Sequence, residues 1–384
     1  MRNTMRKVLT GDRFIVEYRI EATSYEEARQ IAFSIRVEQT VEFPYDWLPN
    51  QWFKDEVTGR LESLAEVETG SFVARISYLS SLTAGEATQF LNIVFGNSSL
   101  QPGIWVQDIL LNEELIEIFK GPRFGVEGIR AHLGVEKRPL LQAVVKPIGL
   151  SASELAFMCK SYANARVDVV KDDHGITNQR FAPFSERVKR CVEAIHEGRA
   201  KSGGNTIYAV NVSADGKETI ERAYEAKELG ADAIMVAPGL VGYGVLHALA
   251  RDENLKMPII SHPSFAGGHI MPGSSGVDFP VWFGTLPRFF GADMPIFVTY
   301  GGRFSVSKET CRTVVERCLE SSLPMKTCVP SPGGGVTEAR IPELVEAFGN
   351  DSMYLVGGDM FHRGPNLEEN AAAFIRLLES MVIE

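Results

Sequence analysis

Arg166-Val167-Asp168-Val169-Val170-Lys171-Asp172-Asp173-His174-Gly175 is an apolar run that ends in four consecutive ionisable side chains and a glycine. The pattern reads as a buried strand that delivers polar groups at its carboxyl end. Side chains alternate along a strand, so Lys171 and Asp173 share one face, and His174, opening the loop, can turn back toward them. A divalent metal suits such a group. A lysine and two aspartates after a strand also fit a solvated loop whose Asp caps the next helix, so the stretch alone leaves both readings open.

The surrounding chain favours the first reading. From Leu140 onward a strand-then-helix rhythm repeats eight times, with strands expected in LLQAVVKP, VDVVKDD, TIYAVNVS, ADAIMVAP, MPIISHP, ADMPIFVT, KTCVPSP and MYLVGGD. Segments between them, such as SASELAFMCKSYANA and SKETCRTVVERCLESS, carry helical spacing and serine N-caps. Eight βα units make a (β/α)8 barrel, whose active site lies at the carboxyl ends of its strands. The tips supply Lys146, Lys171, Asp173, His174, Asn211, His262, Thr299, Arg303 and two glycine-rich loops. A ring of ionisable groups at strand tips reads as a site.

Upstream, FIVEYRIE alternates like a strand and SYEEARQIAFSIRVE starts at a serine cap and runs helically. The expectation is a ferredoxin-like α+β domain over residues 1–135 followed by the barrel over 136–384, in an α/β protein of 384 residues. With 45% apolar and 23% charged residues the composition is that of a globular protein, and no apolar run is long enough for a membrane span. A net charge of −10 argues against nucleic-acid binding. The basic N-terminus lacks an apolar stretch after it, and the five cysteines lack metal or disulfide spacing, so a cytoplasmic protein with buried free thiols is expected.

Placed on strands, these motifs resemble the RuBisCO large-chain family, and more closely the RuBisCO-like proteins. The resemblance runs through Gly121-Pro122-Arg123-Phe124-Gly125, Arg130, Arg138-Pro139-Leu140-Leu141, Val145-Lys146-Pro147 and Lys171-Asp172-Asp173. It continues through Gly301-Gly302-Arg303-Phe304, Pro332-Gly333-Gly334-Gly335 and Gly357-Gly358. It implies a Mg2+ ion held by a carbamylated Lys171 beside Asp173 and His174, with Mn2+ or another divalent ion as the alternative, because a histidine stands where the family has a glutamate. It also implies Lys146 as the base, with His174 and His262 available for catalysis, and Gly334, Gly335, Gly357 and Gly358 as a backbone cradle for phosphate.

Departures from the family narrow the chemistry. Ile148 replaces the second lysine of the first loop, Arg303 stands in for the lysine of loop six, Pro263 follows His262 where an arginine is expected, and Ile296 falls near a missing histidine. Carbon fixation is therefore not expected, and one phosphate site remains. The implied reaction is metal-assisted enolisation of a singly phosphorylated ketose, with 5-methylthioribulose-1-phosphate isomerase as the leading assignment. Alternatives are a diketo-methylthiopentyl-phosphate enolase, cleavage of a phosphorylated 3-oxo acid sugar from apionate catabolism with Arg303 as the added cation, and a binding protein that has lost catalysis. Phe265, Phe297 and Tyr300 are candidates to meet the remote end of the substrate, or to pack in the barrel. The family also implies a homodimer in which Glu38 and Asn92 or Asn97 of one chain reach the barrel mouth of the other.

Overall fold

The computed structural model describes residues 12–271 and 273–381. Four N-terminal strands, β1 (Arg13–Glu21), β2 (Arg60–Glu68), β3 (Ser71–Leu79) and β4 (Ile104–Leu110), form an antiparallel sheet in the order β4-β1-β3-β2. Helices Tyr25–Glu38 and Ala87–Phe95 complete a βαββαβ ferredoxin-like unit. Strict alternation in β1 turns Phe14, Val16, Tyr18 and Ile20 inward. Ser24 caps the first helix by accepting the Glu27 amide.

The eight C-terminal strands expected from the sequence all form: β5 (Leu140–Val145), β6 (Val169–Asp172), β7 (Ile207–Asn211), β8 (Ala233–Val236), β9 (Ile259–Ser261), and, after β10 (Ser275–Val277), β11 (Met294–Val298), β12 (Ser331–Gly333) and β13 (Met353–Val356). Without β10 they make one parallel sheet in the order β12-β11-β9-β8-β7-β6-β5-β13. The seam between β12 and β13 is closed by the Met353 amide donating to Pro330 O at 2.9 Å and Ser331 Oγ to Met353 O at 2.9 Å. Both faces of β5, β7 and β8 are buried, as a parallel sheet enclosed by helices requires. Ser151, Ser307 and Asn366 cap the helices that follow them, and Ser151 and Glu154 form a complete capping box ahead of Ala152–Asn164.

Two features depart from a simple two-block reading. Helix Gly125–Leu133, on the N-terminal side of residue 135, inserts Val126, Ile129 and Leu133 into the barrel's interior cluster with Leu140, Val169 and Met294. Asp293 anchors its start, accepting the Phe124 and Gly125 amides at 2.8 and 2.9 Å. Conversely, β10 arises within the barrel sequence yet pairs in parallel with β4, giving the N-terminal sheet a fifth strand. The seventh barrel strand also starts later than its apolar run, at Ser331.

Candidate functional site

The stretch 166–175 is held at both ends. Asp168, at the amino end, takes both terminal nitrogens of Arg138 at 2.7 Å and the Leu141 amide at 2.8 Å, which pins β5 to β6. Asp172 faces outward from the barrel, accepting Tyr208 Oη at 2.8 Å, Arg187 Nη2 at 3.2 Å and the Asn211 amide at 3.1 Å. Alternation then sends Lys171 and Asp173 inward, into a cavity of about 710 Å3 at the carboxyl ends of the strands. Its walls include Lys146, His174, His262, Phe265, Arg303, Phe304, Gly333 to Gly335, and Gly357 to Asp359.

Within this cavity Lys171 is 1% exposed, and its ammonium nitrogen donates to the Asp172 carbonyl at 3.0 Å. Burial draws its pKa down to about 8, against the opposing pull of Asp173 and Asp172. Asp173 Oδ1 accepts the Gly175 amide at 3.0 Å and lies 3.5 Å from His174 Nδ1. The His174 ring stacks on His262 with centroids 4.4 Å apart. Burial lowers the pKa of both imidazoles, that of His262 far below the ordinary value. His262 Nδ1 lies 2.6 Å from Ser264 Oγ and 3.2 Å from the Ser264 amide, and the amide can only donate, an arrangement that favours the ring proton on Nε2.

Lys146 projects from the end of β5, and its Nζ lies only 2.9 Å from where a Cβ on Gly357 would stand, so the amine rests against the Gly357 backbone. The amides of Gly334, Gly335, Val336, Gly357 and Gly358 have no acceptor among the described residues. These loops therefore present unspent N–H groups to the cavity, which is how backbone holds an anion.

Asn211, read from sequence as a pocket residue, instead holds the loop after β6: its Nδ2 donates to His174 O at 3.1 Å and Ile176 O at 3.0 Å. Thr299 is buried, and Tyr300 packs edge-on against Phe348 and beneath Arg340, outside the cavity wall. Phe297 reaches the wall but also packs on Phe348. Phe265 remains at the mouth, 74% exposed. Glu38 and Asn97 bond to one another at 3.0 Å on the N-terminal domain, and the Asn92 carbonyl accepts from Gln39, the residue after Glu38, at 2.9 Å; none of the three lines the cavity of its own chain. Arg187, Tyr208 and Arg340 organise the site without having been singled out in the sequence, since no local pattern distinguishes a buried arginine on a helix or turn from a solvated one.

Among the described residues no three His, Cys, Asp and Glu side chains converge as a metal group. Asp173 and His174 alone supply one oxygen and one nitrogen donor within 3.5 Å of each other. Addition of CO2 to the Lys171 amine would supply the third, and that amine is buried, weakly basic and bonded only to a carbonyl. The residues fit the ion on that condition.

Residues 125–376 match the family model described as "Ribulose bisphosphate carboxylase large chain, catalytic domain". This chain belongs to the RuBisCO large-chain family. Its relatives place it among the RuBisCO-like members. It is 36% identical to ribulose bisphosphate carboxylase-like protein 1 of Rhodopseudomonas palustris, covering 95% of this chain and 97% of that one. It is 34% identical to the 5-methylthioribulose-1-phosphate isomerase of Rhodospirillum rubrum, covering 95% and 96%. The crystal structure of a Rubisco-like protein from Rhodopseudomonas palustris superposes with a TM-score of 0.86 at 33% identity, over 98% of this chain and 100% of that one. As a RuBisCO-like protein the chain is an enzyme of a superfamily built on enolisation and does not fix carbon. The changed positions Ile148, Pro263, Ile296 and Arg303 accord with that.

Proposed function

We propose that the protein is a 5-methylthioribulose-1-phosphate isomerase that works as a cytoplasmic homodimer. The observation that carries the reading is the meeting, in one cavity, of a Lys146 amine, the Lys171, Asp173 and His174 group, and a single set of free glycine amides. One anion cradle suits a singly phosphorylated substrate. The 34% identical Rhodospirillum rubrum relative bears that activity as its name.

A divalent ion, Mg2+ by family or Mn2+ by virtue of the imidazole donor, would be held by carbamylated Lys171, Asp173 and His174 and would supply Lewis acidity to the ketose carbonyl and hydroxyl. The amides of Gly334, Gly335, Gly357 and Gly358 bind the phosphate and fix which carbon faces Lys146. Lys146 Nζ removes the C–H proton next to the carbonyl and returns it to the former carbonyl carbon, while the proton of the adjacent hydroxyl passes to the former carbonyl oxygen, so the carbonyl moves one carbon along the chain. Neutral His262, carrying its proton on Nε2, donates a hydrogen bond to an oxygen gaining charge. Phe265 and Phe304 are apolar groups on the cavity wall, available to the remote end of the substrate.

One observation favours a second reading. Arg303 lies on the cavity wall, stacked on Phe304 at 5.3 Å, with no carboxylate partner among the described ion pairs. It would serve a substrate carboxylate, as cleavage of a phosphorylated 3-oxo acid sugar requires. Other relatives are named 2,3-diketo-5-methylthiopentyl-1-phosphate enolases, and the same groups of this chain would serve that enolisation. NMR in heavy water with Mg2+ and bicarbonate separates these readings. Solvent deuterium entering 5-methylthioribulose 1-phosphate together with a new ketose is expected, and Lys146→Ala should lower that exchange about 10^2- to 10^4-fold, the worth of a positioned base. Consumption of the acid sugar alone, with carbon–carbon cleavage, would replace the isomerase reading.

A further inference from the structure

Loop six, residues 299–304, and loop seven, which contains Gly334 and Gly335, touch through bare backbone. A Cβ on Gly302 would fall 2.3 Å from Gly334 O, and one on Gly335 would fall 2.5 Å from Gly302 Cα. Gly301, with φ +67°, and Gly334, with φ +80°, occupy the left-handed region that side chains disfavour. The ring of Phe304 fills the space beside Gly334, its Cε2 2.9 Å from a Cβ position there.

Arg340 joins the two loops from behind. Its Nη1 donates to Gly335 O at 2.9 Å and its Nη2 to Tyr300 O at 2.8 Å, while the guanidinium covers the Tyr300 ring at 5.2 Å. A Cβ on Gly301 would sit 2.7 Å from Nη2, so the chain approaches Arg340 as closely as glycine permits. Arg340 does not line the cavity. In a trans peptide the C=O and N–H point in opposite directions. Holding Gly335 O toward Arg340 therefore turns the Val336 N–H away from it, and Val336 is a wall residue whose amide has no acceptor among the described residues.

We propose that Arg340 is a positioning residue that latches loop six onto the glycines of loop seven and so preforms the anion-binding backbone before substrate arrives. The latch follows from contacts within the chain; its link to anion binding rests on the reading of these glycines as the phosphate cradle. A guanidinium suits the task because its planar fork reaches two carbonyls at once, whereas an ammonium is a single point donor. Free of the latch, loop seven samples other conformations, and apparent affinity falls with the fraction of molecules that keep the competent one.

Two measurements on the full-length protein test this, each comparing the unaltered chain with Arg340→Ala and Arg340→Lys. Hydrogen–deuterium exchange over residues 299–306 without ligand reads the latch, and calorimetric titration with inorganic phosphate reads the cradle. Circular dichroism and the melting temperature establish that the variants fold; if Arg340→Ala does not, Arg340→Gln takes its place. Arg340→Ala should exchange at least about tenfold faster in loop six and bind phosphate about tenfold more weakly, with Arg340→Lys between the two. Unchanged exchange overturns the latch, whatever phosphate does. Faster exchange with unchanged phosphate affinity overturns preformation. If the unaltered protein binds no phosphate, the cradle reading and preformation both fall, while faster exchange in Arg340→Ala would still establish the latch.

Discussion

Lys171 shows how one residue is tuned by its place in the strand. Its amine has lost water and gained only a carbonyl, so its neutral form is favoured, and half of it is neutral near the pKa of about 8. Carbamylation joins CO2 to the neutral amine, so at constant dissolved CO2 the activation should climb from about pH 7 to about pH 9 and then level off. A pH-independent activation would argue against carbamylation of Lys171. The same shift has a cost in stability. A lysine whose folded pKa is depressed from 10.5 to about 8 destabilises the fold fully below pH 8, and the penalty fades as pH rises toward 10.5, because the unfolded chain binds more protons over that window. Lys171→Met should therefore unfold later in urea at pH 7, by up to about 3 kcal/mol, with the gain shrinking above pH 8. Equal stability at both pH values would show that the amine is solvated.

At the scale of elements, the site is carried by what lies behind β6. Helix Phe184–Ser202 reaches the strand through Arg187, fully buried against Asp172, and Tyr208 of β7 bonds the same carboxylate. Arg187→Met would leave that carboxylate buried without its charge partner, a loss of about 3–5 kcal/mol readable by thermal or urea denaturation. Because Asp172 sits between Lys171 and Asp173, the variant should also weaken bicarbonate-dependent activation under conditions where it remains folded. Full stability in Arg187→Met would mean that Tyr208 and the Asn211 amide alone satisfy Asp172. Asn211 acts comparably on the following loop, tying the His174 and Ile176 carbonyls to the end of β7.

At the scale of the molecule, the cavity of a single chain is open at its mouth, with Phe265 exposed there, while Glu38, Asn92 and Asn97 lie on the N-terminal domain away from the cavity wall. A dimer with shared sites would bring the two regions together. Mixing the separately inactive Lys171→Ala and Glu38→Gln proteins should then recover about a quarter of normal activity, since half of randomly paired dimers are mixed and each carries one intact site. No recovery after exchange of subunits would place both residues in the same chain's site or remove Glu38 from it. No described helix is long and apolar enough to span a bilayer, and all five cysteines are buried and free.

The alternating and 3.6-residue patterns by themselves determined the eight strands, the capped helices and the ferredoxin-like unit, because burial of one face imposes a local period that the chain cannot hide. They also determined that Lys171 and Asp173 point the same way, a consequence of the strand's period of two. What they could not hold was any relation between distant segments. That β10 leaves the barrel to extend the N-terminal sheet, that helix Gly125–Leu133 fills the barrel floor, and that Asn211 and Tyr300 turn to structural work were decided by packing among residues tens to hundreds apart. Arg187 and Arg340 follow the same rule. Their sequence neighbourhoods are ordinary, and only the folded chain supplies the buried carboxylate and the paired loop carbonyls that give them a role.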